Sequence, residues 1–73
     1  MQNKEYKLPE VLKELIERDN INQSILSREL KVTQSAIYRW LYFERTPDMF
    51  HLMQLAEYFN VSIDYLVFGD KGE

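Results

Sequence analysis

Residues 34–39 bring together four side chains that can hydrogen-bond to a flat polar partner. Gln34 carries an amide that both donates and accepts, and Arg39 carries a planar fork of N–H donors. Ser35 and Tyr38 add hydroxyl groups within the same six residues. These groups suit the recognition of a ligand, and the segment holds no carboxylate or thiol that could make it a reaction centre.

Elsewhere the chain shows no pattern typical of catalysis or of metal binding. Ser24, Ser27 and Ser35 lie outside any nucleophile motif, and no glycine-rich phosphate loop is present. His51 stands alone, with neither a second ligand nor a carboxylate at a useful spacing. We therefore expect no catalytic residue, no metal site, no cofactor, no small-molecule substrate and no enzymatic activity.

Size and composition restrict the class of protein further. The 73 residues suffice for one domain, and 45% hydrophobic with 29% charged residues exclude a disordered chain. The absence of cysteine agrees with a reducing compartment, and no apolar run reaches the roughly 18 residues that a membrane span needs. We expect a cytoplasmic protein with no membrane partner.

The net charge of −3 disfavours a nucleic-acid partner, because domains that bind nucleic acid usually present a basic surface. The charge is unevenly distributed, however. Residues 22–46 hold four basic residues against two acidic ones, a surplus of two positive charges, which leaves −5 for the remainder. This distribution weakens the objection that the net charge raises.

Hydrophobic spacing and capping residues predict five short α-helices and no strand. The helices are expected at about 9–18, 23–30, 34–41, 47–59 and 63–68, with Asn22, Thr33, Thr46 and Ser62 as N-caps and Asn20, Asn60 and Gly69 as stops. On the fourth helix, Phe50 and Met53 are expected to be available for packing. The domain spans residues 8–69 in this interpretation, between a flexible arm at 1–7 and a tail at 70–73.

The second and third helices are separated only by Lys31 and Val32. Two short helices joined by so tight a turn must cross steeply, and we expect Val32 to plug the corner between them. The positions at which the crossed helices must touch are apolar, namely Leu26, Leu30, Ile37 and Trp40. Residues 22–41 therefore predict a helix-turn-helix.

At this point the sequence resembles the Cro/CI (XRE-type) helix-turn-helix family of phage and bacterial regulators. The matching motifs, in the family's order and spacing, are Leu12–Ile16, Gln23, Leu26, Leu30, Val32–Ile37, Arg39-Trp40, Arg45–Pro47, Leu55-Ala56, Val61–Leu66 and Phe68-Gly69. The resemblance implies an all-α, compact, five-helix domain of the lambda-repressor-like type. It also implies a regulator whose third helix enters the major groove of double-stranded operator DNA, in a bacterial cell or a phage-infected host.

The resemblance assigns roles to individual residues. The implied contacts with base edges come from Gln34, Ser35, Tyr38 and Arg39. The implied contacts with DNA phosphates come from Gln23, Thr33, Arg45 and Thr46. On an unrelated helix, Gln34 and Ser35 would read as plain solvent-facing residues, and Gln34 has the alternative of pairing with Gln23.

Three features depart from the family pattern. Lys31 occupies a turn position where the family commonly has glycine, which costs on the order of 1 kcal/mol if the left-handed backbone is kept. Leu41-Tyr42-Phe43 replaces the usual polar turn, and not all three can face the core of so small a domain. The first helix places Glu10, Glu14 and Glu17 along one face.

These departures leave a second function open beside operator binding in a lysis/lysogeny-type switch. An antirepressor, or modulator of repression, on the same fold would bind a cognate repressor protein through a surface formed by Glu10, Glu14, Glu17, Leu41, Tyr42 and Phe43. The simpler interpretation of the glutamates is a solvated face, supported by the pairs Lys13–Glu17 and Glu14–Arg18.

One domain of this size offers too little interface for tight specific binding to DNA. The resemblance therefore implies a homodimer on half-sites about one helical turn apart. Ile63, Tyr65 and Phe68 of the fifth helix are the candidate dimer residues, with core packing as the alternative interpretation.

Overall fold

The computed structural model describes residues 5–69, which form five α-helices joined by short turns, with no strand in that range. The helices are α1 (Leu8–Arg18), α2 (Gln23–Leu30), α3 (Gln34–Leu41), α4 (Met49–Phe59) and α5 (Ile63–Phe68). The predicted all-α, five-helix class is thereby confirmed. None of these helices is both long and apolar enough to cross a membrane.

A single apolar core holds the helices together. α1 packs against α3 and α5, α2 packs against α3, and α4 packs against α5. The side chains that fill the core without any exposed surface are Leu8, Leu12, Leu26, Ile37, Leu55 and Leu66. Because every helix contributes at least one of them, burial of a shared core explains why such short helices are stable.

Three of the turns share one local design. α1, α2 and α4 are each followed, within two residues, by a residue with positive φ, namely Asn20 (56°), Lys31 (60°) and Asn60 (59°). The next residue is aliphatic, half-buried against the core, and its N–H bonds to a carbonyl five positions earlier, as Val32 does to Ser27 at 3.0 Å. The residue after that caps the following helix. This design explains the tight spacing of the helices.

The predicted N-caps of α2, α3 and α5 are confirmed. Asn22 Oδ1 accepts the Ile25 N–H at 2.8 Å, Thr33 Oγ1 accepts that of Ala36 at 3.0 Å, and Ser62 Oγ accepts that of Tyr65 at 2.9 Å. Each bond satisfies one of the backbone donors that a helix start leaves free.

The predicted start of α4 is wrong by two residues. Thr46 was the expected cap, but Asp48 caps the helix, since its Oδ1 accepts the His51 N–H at 2.9 Å. Pro47 lies buried before the helix rather than in its first turn. Thr46-Pro47 matches the sequence pattern of a cap followed by a first helical residue. Asp48, two positions after Thr46, is also a good capping residue, and in the structure it is the N-cap.

The N-terminal end of the domain extends slightly beyond the predicted limit. α1 begins at Leu8 instead of Pro9, and the Lys7 N–H bonds to the Val67 carbonyl at 2.7 Å. Tyr6 is half-buried against the core, so this part of the expected arm packs on the domain. Residues 1–4 and the tail at 70–73 lie outside the described residues.

Candidate nucleic-acid interface

The turn between α2 and α3 fixes the relative position of the two helices. Lys31 adopts φ 60° and ψ 42°, so it keeps the left-handed conformation for which the family commonly has glycine. As predicted, Val32 fills the corner between α2 and α3, where it is half-buried against the core. Ser27 is buried at the crossing, where its hydroxyl donates to the Ser24 carbonyl at 3.0 Å. A small residue here lets the two backbones approach closely.

The outer face of α3 carries the four predicted base-contacting residues. Gln34, Ser35, Tyr38 and Arg39 are all exposed. At about 100° per residue they occupy an arc of about 140° on one side of the helix. Ile37, Trp40 and Leu41 are buried on the opposite side, at 0%, 3% and 3% exposure. The buried residues hold α3 against the domain, so the four polar side chains face solvent together.

The first turn of α3 adds backbone donors to this face. The Thr33 hydroxyl caps the Ala36 N–H, and the Thr33 carbonyl accepts the Ile37 N–H at 3.3 Å. The N–H groups of Gln34 and Ser35 have no hydrogen-bond partner among residues 5–69. Free N–H groups at a helix start favour an anion such as a phosphate.

The loop after α3 lies beside the same helix. The Arg39 carbonyl accepts the N–H groups of both Glu44 and Arg45, at 2.9 and 3.2 Å. Arg45 and Thr46 are exposed. They line a cleft of about 230 Å³ whose other walls include Ala36 and Trp40 of α3. The loop therefore presents its polar side chains next to α3.

Two of the predicted contact residues are placed less favourably than the others. Thr33 is exposed, but its hydroxyl oxygen accepts the capping bond from Ala36, so the cap fixes the position from which its O–H can donate to a phosphate. Gln23 is half-buried at the start of α2, where it lines a groove with Tyr42. No hydrogen bond joins Gln23 to Gln34 within residues 5–69, so the expected alternative pairing is not formed.

The cations of this region are available to an anionic partner. Within residues 5–69, Arg18 forms an ion pair with Asp19 at 2.8 Å, and the His51 ring hydrogen-bonds to Asp48 at 2.8 Å. The guanidinium groups of Arg39 and Arg45 form no ion pair in that range. The carboxylate of Asp48 instead accepts hydrogen bonds from the backbone N–H and the ring of His51, and these bonds lower the pKa of Asp48.

The expectation that His51 has no carboxylate at a useful spacing is wrong. Asp48 lies three residues before it, and the two side chains bond through Nδ1 and Oδ1 at 2.8 Å. The His51 ring also lies 5.4 Å from the rings of Trp40 and Phe50. No group of three potential metal ligands occurs in the part of the chain that the structure describes. Through its contacts with Asp48 and Trp40, His51 packs the start of α4 against α3.

An aromatic pair at the end of α3 was not predicted. The rings of Tyr38 and Tyr42 lie 4.6 Å apart, and Lys13 Nζ of α1 lies 4.6 Å from the Tyr42 ring centroid. This contact replaces the expected pair between Lys13 and Glu17. Sequence spacing within one helix cannot reveal the contact between Lys13 and Tyr42, because the two residues belong to different segments of the chain.

The other side-chain pair expected on α1 is also wrong. Arg18 does not pair with Glu14. Its guanidinium instead bonds to Asp19 and, at 2.9 Å, to the Phe59 carbonyl at the end of α4. The hydrogen bond with Asp19 raises the pKa of Arg18 and lowers that of Asp19. Arg18 thus ties α1 to α4.

The expected partner surface is only partly exposed. Tyr42 and Phe43 are exposed at 46% and 64%, but Leu41 is buried at 3% and reaches the surface only as part of the lining of the groove beside Tyr42. Leu41 faces inward because it lies one turn after Ile37 on the buried side of α3. Phe43 has φ 67°, so a bulky residue occupies a left-handed turn position. Glu10, Glu14 and Glu17 are exposed.

The sequence matches a model of the helix-turn-helix family over residues 12–66, which is most of the chain. The chain belongs to the Cro/CI (XRE-type) helix-turn-helix family. This places α2 and α3 as the two helices of the motif. No curated protein matches the sequence.

Among solved structures, the fold is similar to that of a transcriptional regulator from Listeria innocua, with a TM-score of 0.82 and 29% sequence identity. The match covers 94% of this chain and 64% of the Listeria chain. The Listeria protein is therefore longer than the region that the two chains share.

Proposed function

We propose that this chain is a phage or bacterial transcription regulator that binds double-stranded operator DNA through the outer face of α3. The observation that carries the proposal is the exposure of Gln34, Ser35, Tyr38 and Arg39 on one side of a helix whose opposite side is buried. A major groove accommodates one α-helix, and side chains near its start reach the base edges.

The chemistry of the face fits this role. The Gln34 amide can bond bidentately to adenine, and the Arg39 guanidinium can bond to the O6 and N7 acceptors of guanine. Tyr38 and Ser35 supply hydroxyl groups beside them. Because sequence is read at base edges, these residues set the preferred operator in our proposal.

A second group of residues positions the helix on the DNA backbone. Arg45 and Thr46 lie in the loop that bonds to the end of α3, and the free N–H groups of Gln34 and Ser35 lie at its start. Phosphates bound at both places would fix α3 along the groove. Gln23 and Thr33, which the structure places less favourably, are secondary phosphate contacts in this proposal. The Listeria regulator supports a role in transcription, and cytoplasmic location and participation in a lysis/lysogeny-type switch are part of the same proposal.

The test is a salt titration of binding to a duplex selected from a random pool, followed by fluorescence anisotropy. We expect the logarithm of the association constant to fall linearly with the logarithm of the salt concentration, with a slope of several units. Gln34→Ala and Arg39→Ala should each weaken binding by about 1–3 kcal/mol and relax base preference. Unchanged binding by both variants would contradict the proposal.

A second candidate function, modulation of a partner repressor, is favoured by a different surface. Glu10, Glu14 and Glu17 are exposed on α1 and form no ion pair within residues 5–69. Beside them lies a groove of about 330 Å³ lined by apolar and polar side chains, namely Ile16, Ile21, Leu41, Tyr42, Lys13, Glu17, Asn22 and Gln23. An acidic helix next to a partly apolar groove complements a basic, amphipathic helix, such as the DNA-binding surface of a repressor.

Mixing experiments separate the two candidate functions. A modulator should form a salt-sensitive complex with the purified cognate repressor, and a Glu10→Gln/Glu14→Gln/Glu17→Gln triple variant should lose it. Arg39→Ala serves as the matched control, since it alters α3 and leaves the acidic face unchanged. If no complex forms, or if the triple variant binds as well as the original chain, the second candidate is excluded.

A further inference from the structure

His51 lies at the start of α4, on the side of the helix that faces α3. Its ring lines the cleft of about 230 Å³ that Arg45 and Thr46 also line, where the proposed function places a DNA phosphate. The side chain is 28% exposed, and its ring lies 5.4 Å from that of Trp40. Packing against Trp40 therefore holds the ring in the wall of the cleft.

The outer side of α4 is chemically different. Met49, Phe50 and Met53 are exposed there at 62%, 65% and 55%. They lie within an arc of about 100° on the helix. This apolar face of α4, defined by those three residues, corrects the expectation that Phe50 and Met53 pack into the core. Its side chains offer no hydrogen-bond donor, so the side of α4 that bears His51 is the one that can contact a phosphate.

The two ring nitrogens of His51 have different surroundings. Nδ1 lies 2.8 Å from Oδ1 of Asp48, and an ionised carboxylate only accepts hydrogen bonds, so Nδ1 carries a proton. Nε2 forms no hydrogen bond within residues 5–69 and is not buried. In the neutral ring Nε2 therefore can only accept, whereas in the imidazolium it donates. A phosphate oxygen can bind at Nε2 only when the ring is protonated.

Protonation of His51 also changes the charge of the cleft. The charged side chains that line it with His51, among residues 5–69, are Arg45 and Asp48, while α3 contributes the uncharged Ala36 and Trp40. The charges of Arg45 and Asp48 cancel while the imidazole is neutral. An imidazolium leaves a surplus of one positive charge, so the cleft attracts an anion more strongly in acid.

We propose that His51, in its protonated form, is a further phosphate contact of the DNA interface, so that acid strengthens DNA binding. The inference rests on the proposed function, which places a phosphate beside Arg45 and Thr46. In the complex, Nδ1–H stays on Asp48 and Nε2–H donates a charge-assisted hydrogen bond to a phosphate oxygen. The proton comes from the solvent, and no covalent bond of the DNA changes.

The direction of the pH effect follows from linkage. Because the imidazolium binds a phosphate better than the neutral ring does, DNA binding draws a proton onto His51. The added affinity is therefore present in acid and is lost as the pH rises through the range in which histidine side chains give up their proton, about 6–7. DNA phosphodiesters keep their charge over this range, so the titrating group belongs to the protein.

The test is the pH dependence of DNA binding by the full chain, measured by fluorescence anisotropy from about pH 5.5 to about pH 8 with a duplex selected from a random pool. His51 is the one histidine of the sequence and cysteine is absent, so among the side chains it alone ordinarily titrates in this range. We expect the association constant to rise roughly fivefold to thirtyfold from the basic to the acidic end, as one charge-assisted hydrogen bond at a partly exposed site provides. The slope of the salt dependence should steepen by about 1 over the same interval.

Two variants distinguish a contact in the cleft from the general effect of one more positive charge. His51→Gln keeps a polar side chain that cannot be protonated, and it should abolish the pH dependence. His51→Gln/Met53→His moves the histidine to the apolar face of α4 and adds the same charge in acid. Because this position lies away from the cleft, the double variant should not restore the pH dependence.

Constant affinity across the pH range would overturn the proposal. So would a pH dependence that His51→Gln retains or that the double variant restores. Circular dichroism at both ends of the range verifies folding, and His51→Asn replaces a glutamine variant that fails to fold. Absence of DNA binding at every pH would contradict the proposed function together with this inference, whereas pH-independent binding that Arg39→Ala weakens would contradict only the role of His51.

Discussion

The outer faces of α3 and α4 are both exposed, but they differ in chemistry. The face of α3 presents an amide, hydroxyl groups and a guanidinium, whereas the face of α4 presents two methionines and a phenylalanine. Both helices bury their opposite side in the same core. The difference teaches that exposure alone does not identify a binding surface, and that the groups exposed indicate which class of partner to test.

The largest expected effect is on stability, and it distinguishes the buried side of α3 from the exposed side of α4. Ile37→Ala removes a side chain with no exposed surface beneath the polar face of α3. We expect a loss of about 2–5 kcal/mol in the free energy of unfolding, measured by urea denaturation. Met53→Ala is the matched control, because it truncates an exposed side chain and should change stability by less than about 0.5 kcal/mol. Equal losses would show that the apolar face of α4 is part of the core.

The second prediction concerns DNA binding, which we expect to involve the loop beside α3 and not the outer face of α4. Arg45→Ala should weaken binding to a short random-sequence duplex and reduce the slope of the salt dependence by about 1, because one phosphate contact is lost. Met49→Ala, at the start of α4, should leave that slope unchanged. Fluorescence anisotropy over a range of salt concentrations measures both. A slope reduced by Met49→Ala would place α4 in the DNA interface.

A smaller effect is expected at the turn that positions α3. Lys31 has a left-handed backbone that glycine adopts without steric cost. Removing this strain with Lys31→Gly should stabilise the domain by roughly 0.5–1 kcal/mol. The greater conformational entropy of glycine in the unfolded chain reduces that gain. Lys31→Asn should give part of the gain, because asparagine occupies the equivalent position in the turns after α1 and α4. Thermal unfolding measures both, and destabilisation by glycine would contradict this account of the turn.

The smallest effect concerns the carboxylate that caps α4. Hydrogen bonds from His51 hold the pKa of Asp48 below its value in the unfolded chain. The resulting stabilisation is fully present above the unfolded pKa and is lost as the pH falls through the lowered one. Asp48→Asn keeps the capping oxygen and removes the charge, so it should be less stable than the original chain near neutral pH, and the difference should shrink in acid. A difference independent of pH would contradict this assignment.

Sequence reasoning was most successful where structure is set locally. Asn22, Thr33 and Ser62 were predictable as caps because each bonds to a donor three residues away. The left-handed Asn20 and Asn60 were predictable for a similar reason. The start of α4 was missed because Thr46-Pro47 satisfies the same local rule that Asp48 satisfies in the structure.

Contacts between helices were not predictable in the same way. Lys13 meets Tyr42, and Arg18 meets the Phe59 carbonyl, only because the fold brings distant segments together. The exposure of Phe50 and Met53 likewise depends on how α4 is rotated against α5, which the mixed hydrophobicity of that helix leaves open. The polar face of α3 was predictable because its apolar residues occupy one side only.

The central claim is that DNA meets the outer face of α3, and an NMR titration of the labelled chain with a selected duplex tests it most directly. The account predicts that the largest changes in amide shifts fall on residues 33–39 and 45–46. Changes concentrated on α1, or none at low salt, would contradict it.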